Sequence, residues 1–92
     1  MMYYYSTWDD IVTTHSDVIE ENEYLEYIKV HFERPTEKVF DFLDLKMPGA
    51  FIISSYGFSE DEILDLQGYA KDNEVLFWEF ARAGGGMDND PI

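Results

Sequence analysis

Cysteine is absent from this chain, so disulfides and thiolate metal sites are excluded. Basic residues are scarce. Six Lys and Arg stand against twenty Asp and Glu, a net charge of −14 over 92 residues. A surface this negative repels nucleic acid and anionic membranes and attracts cationic grooves. Histidine occurs only as His15 and His31, and neither belongs to an H-x-x-x-H pair or to a nucleophile motif. The triple glycine at 84–86 lacks the Lys and Ser or Thr of a phosphate loop, which makes it a helix stop. His31 with Asp41 or Asp44 falls short of the converging ligand set that a divalent metal needs. No catalytic residue, cofactor or metal is therefore expected, and the chain reads as a non-enzyme. Long apolar runs are missing too: no stretch reaches ~18 apolar residues, and MMYYYSTWDD lacks the basic start and apolar segment of a signal peptide. The expectation is a protein of the bacterial cytoplasm, away from the membrane.

What is present is globular. Hydrophobic residues make up 46% of the chain and aromatic residues 17%, enough for one packed domain. That domain is placed at residues 1–84, followed by a Gly- and Asp-rich tail at 85–92 expected to be mobile.

Periodicity assigns the elements. Thr7 as a cap, Asp10 three residues on, and Trp8, Ile11, Val12, His15 and Ile19 at helical spacing predict an acidic N-terminal helix, which Thr13 and Thr14 weaken. After Asn22 the period becomes two. Ile28, Val30 and Phe32 alternate with Tyr27, Lys29, His31 and Glu33 as in a half-buried strand. A second strand is expected from Val39 to Lys46, although Thr36, Val39, Phe40 and Leu43 also fit a short helix. A third begins at Phe51 after the Met47-Pro48-Gly49 break. Ser59 and Glu62 form a capping box, and Phe58 with Ile63 a hydrophobic staple, so a helix starts at Glu60 with Ile63, Leu66 and Ala70 inward and Asp61, Asp65 and Asp72 outward. Asp72 or Asn73 caps a second helix, Glu74 to Ala83, whose run of Val75, Leu76, Phe77, Trp78 and Phe80 must pack, with Trp78 buried. The resulting class is α+β: a small antiparallel sheet of about three strands, from about residue 24 to residue 56, against two C-terminal helices.

Two features point to binding surfaces. The acids cluster: Asp9, Asp10, Asp17, Glu20, Glu21, Glu23 and Glu26 occur without an intervening base, and Glu60, Asp61, Glu62 and Asp65 form a second group. Carboxylates four residues apart on a helix are roughly 6 Å apart along its axis, about two phosphate steps of duplex DNA at roughly 3.4 Å each. Asp61 with Asp65 supplies one such row. Asp17, Glu20, Glu21 and Glu23 supply another if the first helix extends that far. The tyrosines are the second feature, since tyrosine concentrates at interfaces. Tyr3, Tyr4 and Tyr5 divide between interface and core, and Tyr56 is placed in the core.

In its size, acidic clusters and lack of cysteine and catalytic signatures, the chain resembles the small anti-CRISPR and antirestriction inhibitors of phages and mobile elements. The resemblance is one of composition and carries over no site residues. It implies an inhibitor that mimics nucleic acid, makes no direct contact with nucleic acid, and blocks a basic nucleic-acid-binding enzyme such as a CRISPR effector. The alternative is an antitoxin-type partner-binding module, with the apolar second helix or the Tyr-rich N-terminus forming a homodimer or heterodimer interface.

Overall fold

The computed structural model describes residues 1–84; the tail expected at 85–92 lies outside them. Six strands precede two helices: β1 (Met2–Trp8), β2 (Ile11–Ser16), β3 (Ile19–Glu20), β4 (Glu26–Pro35), β5 (Phe40–Met47), β6 (Phe51–Tyr56), α1 (Glu60–Asp72) and α2 (Glu74–Arg82). The sheet is antiparallel in the order β1-β2-β4-β5-β6, with β3 pairing onto β4. The α+β class stands, but the sheet has six strands rather than three, and the N-terminal segment is a hairpin rather than an acidic helix.

The physical reason lies at Asp9 and Asp10. Both adopt positive φ, 51° and 65°, a two-residue turn that matches the strand twist, and Asp is among the few side chains that tolerate it. Trp8 thereby pairs with Ile11, and the hairpin zips back to Met2 opposite Ser16. The flanking residues are aromatic and β-branched, which suits strands better than helices. Ile11, Thr13 and His15, spaced by two, point to the helices. A bulge between Tyr4 and Ser6 turns Tyr5 inward.

Both helices cover one face of the sheet. Beneath them Ile28, Val30, Phe32, Leu43, Leu45 and Met47 are fully buried, together with Ala70 and Phe77. The alternation in β4 is that anticipated from period two, whereas β5, expected only as a strand, alternates as well, with Asp41, Leu43, Leu45 and Met47 buried. Tyr5 is 6% exposed; its ring lies 4.4 Å from Phe77 and its hydroxyl donates to Asn73 Oδ1 at 2.6 Å. His15 is also buried, caged by Tyr3, Tyr5, Phe77 and Phe80. Its Nδ1 lies 3.0 Å from the Ser16 carbonyl.

The helix start is the one read from sequence. Ser59 Oγ accepts from the Glu62 amide at 3.2 Å, and Glu62 Oε1 accepts from the Ser59 amide at 2.9 Å. Asn73 precedes α2 but makes no side-chain cap; its amide instead donates to the Tyr69 carbonyl. Two placements are corrected. Trp78 is only half-buried, its indole donating to Glu74 with Arg82 over the ring, because Phe77 takes the position under the sheet. Tyr56 is 58% exposed, on an edge strand and opposite Phe42 on the sheet face away from the helices.

These positions set two stability outcomes. Replacing Phe77 by Ala lowers unfolding free energy by about 3–5 kcal/mol, whereas Trp78→Ala costs about 1–2 kcal/mol, in chemical denaturation. Gly68, where an added Cβ meets nothing within 4 Å, gains about 0.5–1 kcal/mol on replacement by Ala, seen as a higher melting temperature.

Candidate acidic binding surface

Arg34 organises one end of the molecule. It sits opposite Asp41 in the β4–β5 register, donates from Nε to Asp41 at 2.9 Å, and reaches Glu62 of α1 at 2.6 Å. Its guanidinium lies 4.6 Å from the centroid of Phe58. Glu62 thus closes the capping box and binds Arg34 with the same carboxylate. Arg34 holds its proton more tightly than usual because of these two partners. The Arg34 hydrogen bond, followed by that from the Ser59 amide, lowers the Glu62 pKa to about 2.

Around this clasp lies an acidic pole. A cleft of about 340 Å³ opens between the β1–β2 hairpin and α1, lined by Trp8, Asp9, Ile11, Phe32, Asp65 and Leu66 among others. Asp9, Asp10, Glu60, Asp61 and Asp65 are all exposed here. The structure therefore brings together two acidic groups that are some fifty residues apart in sequence. Asp72, on the same face of α1, continues the Asp61–Asp65 row.

The second pole is at the other end of the strands, and it is not helical. Asp17 follows β2, Glu20 ends β3, and Glu21 and Glu23 lie in the connection to β4, so the helical row expected of Asp17, Glu20, Glu21 and Glu23 does not exist. The Asp9–Asp10 turn ended the helical reading upstream of it. Glu21 pairs with Lys46 at 2.8 Å and Glu26 with Arg82 at 3.3 Å. The Asp17 carboxylate near the Tyr3 hydroxyl raises the hydroxyl's pKa. Glu20 and Glu23 remain exposed, beside Tyr24 and Trp78.

Of the N-terminal tyrosines only Tyr4 is exposed, its hydroxyl 2.8 Å from Thr7 Oγ1. Tyr3 is half-buried and Tyr5 belongs to the core.

The sheet face away from the helices brings together His31 and Asp44, a pair that the sequence offered only as an incomplete metal set, and adds Glu33, Phe42 and Tyr56 to it. On it His31 Nδ1 approaches Asp44 at 2.6 Å and Nε2 approaches Glu33 at 3.1 Å. Phe42 stacks on His31, and Tyr56 stacks on Phe42. The outward positions of β4 and β5 held the signal, since alternation gives both strands a second face. Burial pulls the His31 pKa down, but the bonds to Asp44 and Glu33 outweigh it and raise the value.

Among the described residues no helix is long and apolar enough to cross a membrane, and no cluster of three or more His, Cys, Asp or Glu is placed to hold a metal ion. No family model, curated protein or solved structure matches this chain.

Two of the shifted groups, Glu62 and His31, give opposite pH dependences. Glu62 has a folded pKa below its unfolded one, so its contribution is present above about pH 4.5 and lost as pH falls towards about 2. His31 is raised, so its contribution is present below about pH 6.5 and lost as pH rises through its folded value. Melting temperatures followed across pH should show a shallower acid decline in Glu62→Gln than in the parent. They should show a shallower decline above neutrality in Asp44→Asn.

Proposed function

We propose that this chain is a non-enzymatic acidic inhibitor of the phage or mobile-element kind. It acts in the bacterial cytoplasm by occupying the cationic groove of a nucleic-acid-binding enzyme such as a CRISPR effector. The observation that carries this reading is where the unpaired acid lies. Arg34, Lys46 and Arg82 are held by Asp41, Glu62, Glu21 and Glu26, while Asp9, Asp10, Asp61 and Asp65 at one pole and Glu20 and Glu23 at the other stay exposed. The poles flank the two ends of β4, ten residues long. At ~3.3 Å per residue they are roughly 30 Å apart, close to one duplex turn of roughly 34 Å. Within the first pole, Asp61, Asp65 and Asp72 mark roughly 6 and 16 Å along α1, about two and five phosphate steps. A groove lined with Lys and Arg would meet this surface by steering and by charge-assisted hydrogen bonds.

A second reading, a partner-binding module without mimicry, is favoured by Leu64, Val75 and Leu76, which are 65%, 70% and 42% exposed on the helical layer. Ionic strength separates the two, because charge pairs are screened and apolar contacts are not.

The test takes two residues from each pole: Asp61→Asn, Asp65→Asn, Glu20→Gln and Glu23→Gln combined. Target binding should fall steeply with salt in the parent and be lost in the quadruple variant, with the melting temperature equal or higher as repulsion is relieved. Nucleic acid should compete for the same site, and the protein alone should leave DNA and RNA unretarded in a gel. A target that binds parent and variant alike, or holds nucleic acid and this protein together, rejects the mimic in favour of the apolar surface.

A further inference from the structure

Strand β6 ends the sheet, and all six of its residues are exposed. Natural edge strands are usually blunted by charge or proline, because an open row of backbone groups invites another strand. Strand β6 carries neither, only a bulge: residues 51–56 hold no charged side chain and no proline, in a chain of net charge −14. Phe51, Ile52, Ile53 and Tyr56 are 67%, 51%, 49% and 58% exposed.

The irregularity in the strand decides what fits it. The β5–β6 register slips between Asp44 and Leu45, leaving Ile53 as the extra residue. In an unbulged strand Phe51 and Tyr56, five apart, would lie on opposite faces. Across the bulge they share one. Phe51 lies opposite Lys46 and Tyr56 opposite Phe42, both on the open face, while Ile52 lies opposite Leu45 and Ser55 opposite Leu43, both on the helix-covered face. The strand is therefore complementary to itself. Antiparallel pairing with Phe51 against Tyr56, Ile52 against Ser55 and Ile53 against Ser54 matches face to face at the Phe51–Tyr56 and Ile52–Ser55 pairs. Sliding by one residue in either direction sets an open-face residue against a covered one.

We propose that β6 is a homodimerisation edge: a second copy of this chain pairs with it antiparallel about a twofold axis between Ile53 and Ser54. Phe51 of each copy then extends the other's row of His31, Phe42 and Tyr56 across the interface. The uncharged edge is a place where two chains of −14 can meet without opposing carboxylates. A contact of one strand pair is small, so the dimer forms in the range of about 10–100 µM. Because the copies repel at long range, added salt strengthens the dimer, the reverse of its effect on an acidic docking surface, and the two proposals stand or fall separately.

Sedimentation velocity tests this at increasing protein concentration and salt. The expected result is a species of twice 10.8 kDa that grows with both variables. Ile53→Glu should abolish it while leaving the melting temperature of the dilute protein unchanged. Since the chain has no native cysteine, a mixture of Phe51→Cys and Tyr56→Cys chains should form a mixed disulfide on mild oxidation, and a mixture of Ile52→Cys and Tyr56→Cys should not. This register test holds even where Ile53→Glu fails to fold. A single monomeric species up to about 200 µM in high salt overturns the proposal. So does a dimer that survives Ile53→Glu without the Phe51–Tyr56 disulfide. Open-ended polymers overturn it as well, because they would place β1, the other edge, against β6.

Discussion

The guanidinium of Arg34 joins three elements, β4, β5 and α1. Asp41 lies directly across the β4–β5 ladder and Glu62 belongs to the first turn of α1, so one cation fixes the pairing of the two central strands and the point where the helical layer begins. Its surroundings are built for it. Gly57 has φ +88°, and a Cβ there would collide with the Asp41 carboxylate, so the turn between β6 and α1 can close over the ion pair only with glycine. Phe58 then covers the guanidinium and also packs in the core. The arrangement is partly exposed, and its worth lies in geometry more than in Coulomb energy. Two oriented acceptors and a ring hold one rigid fork.

From that clasp the division of labour between the two faces follows. The covered face takes the aliphatic residues of β4 and β5 together with the rings of Tyr5, Tyr69 and Phe77, and in a cysteine-free domain this packing supplies most of the stability. The open face takes paired polar groups, His31 between Asp44 and Glu33, flanked by Phe42 and Tyr56. Charge that neither face can absorb is left at the ends of the strands. Three bases lie over aromatic rings, Arg34 on Phe58, Lys46 on Tyr27 and Arg82 on Trp78, and each also holds a carboxylate. Three of the six Lys and Arg are thus engaged with carboxylates of their own chain, and the acid excess appears at the poles.

How much of this was legible in the sequence depended on whether the signal was local. Ser59 and Glu62 act within one helical turn, and the capping box they announce is present. The alternation of Ile28, Val30 and Phe32 likewise describes its own strand. The Asp9–Asp10 turn was equally local but was hidden by a coincidence: Trp8, Ile11, Val12 and His15 satisfy a helical period while Ile11, Thr13 and His15 satisfy a strand period. The tie is broken by partners at Thr13 and His15 in β4, which sequence spacing does not contain. Trp78 and Phe77 are adjacent, and only the angle at which α2 meets the sheet selects Phe77 for burial. The same limit applied to the acidic surface. Its members cluster in the sequence without an intervening base, yet Glu21, Glu26 and Glu62 find bases distant in the chain, and the meeting of Asp9 with Asp65 is a product of topology.

Topology also decides what a paired edge would do to those poles. Strand β6 runs parallel to β4, so its Phe51 end lies toward Glu20 and Glu23 and its Tyr56 end toward Asp9 and Asp65. A twofold, antiparallel pairing sets the Asp9–Asp65 pole of one copy alongside the Glu20–Glu23 pole of the other. With β5 and β6 of each copy between them, the facing poles are several strand spacings of ~4.8 Å apart, beyond a Debye length of about 8 Å at physiological salt. Like charges at that distance add little repulsion to the dimer, while the acidic patches available to one cationic partner double. Keeping carboxylates off β6 and concentrating them at the strand ends is therefore a single arrangement with two effects: it permits self-association, and it leaves both acidic poles of each copy open.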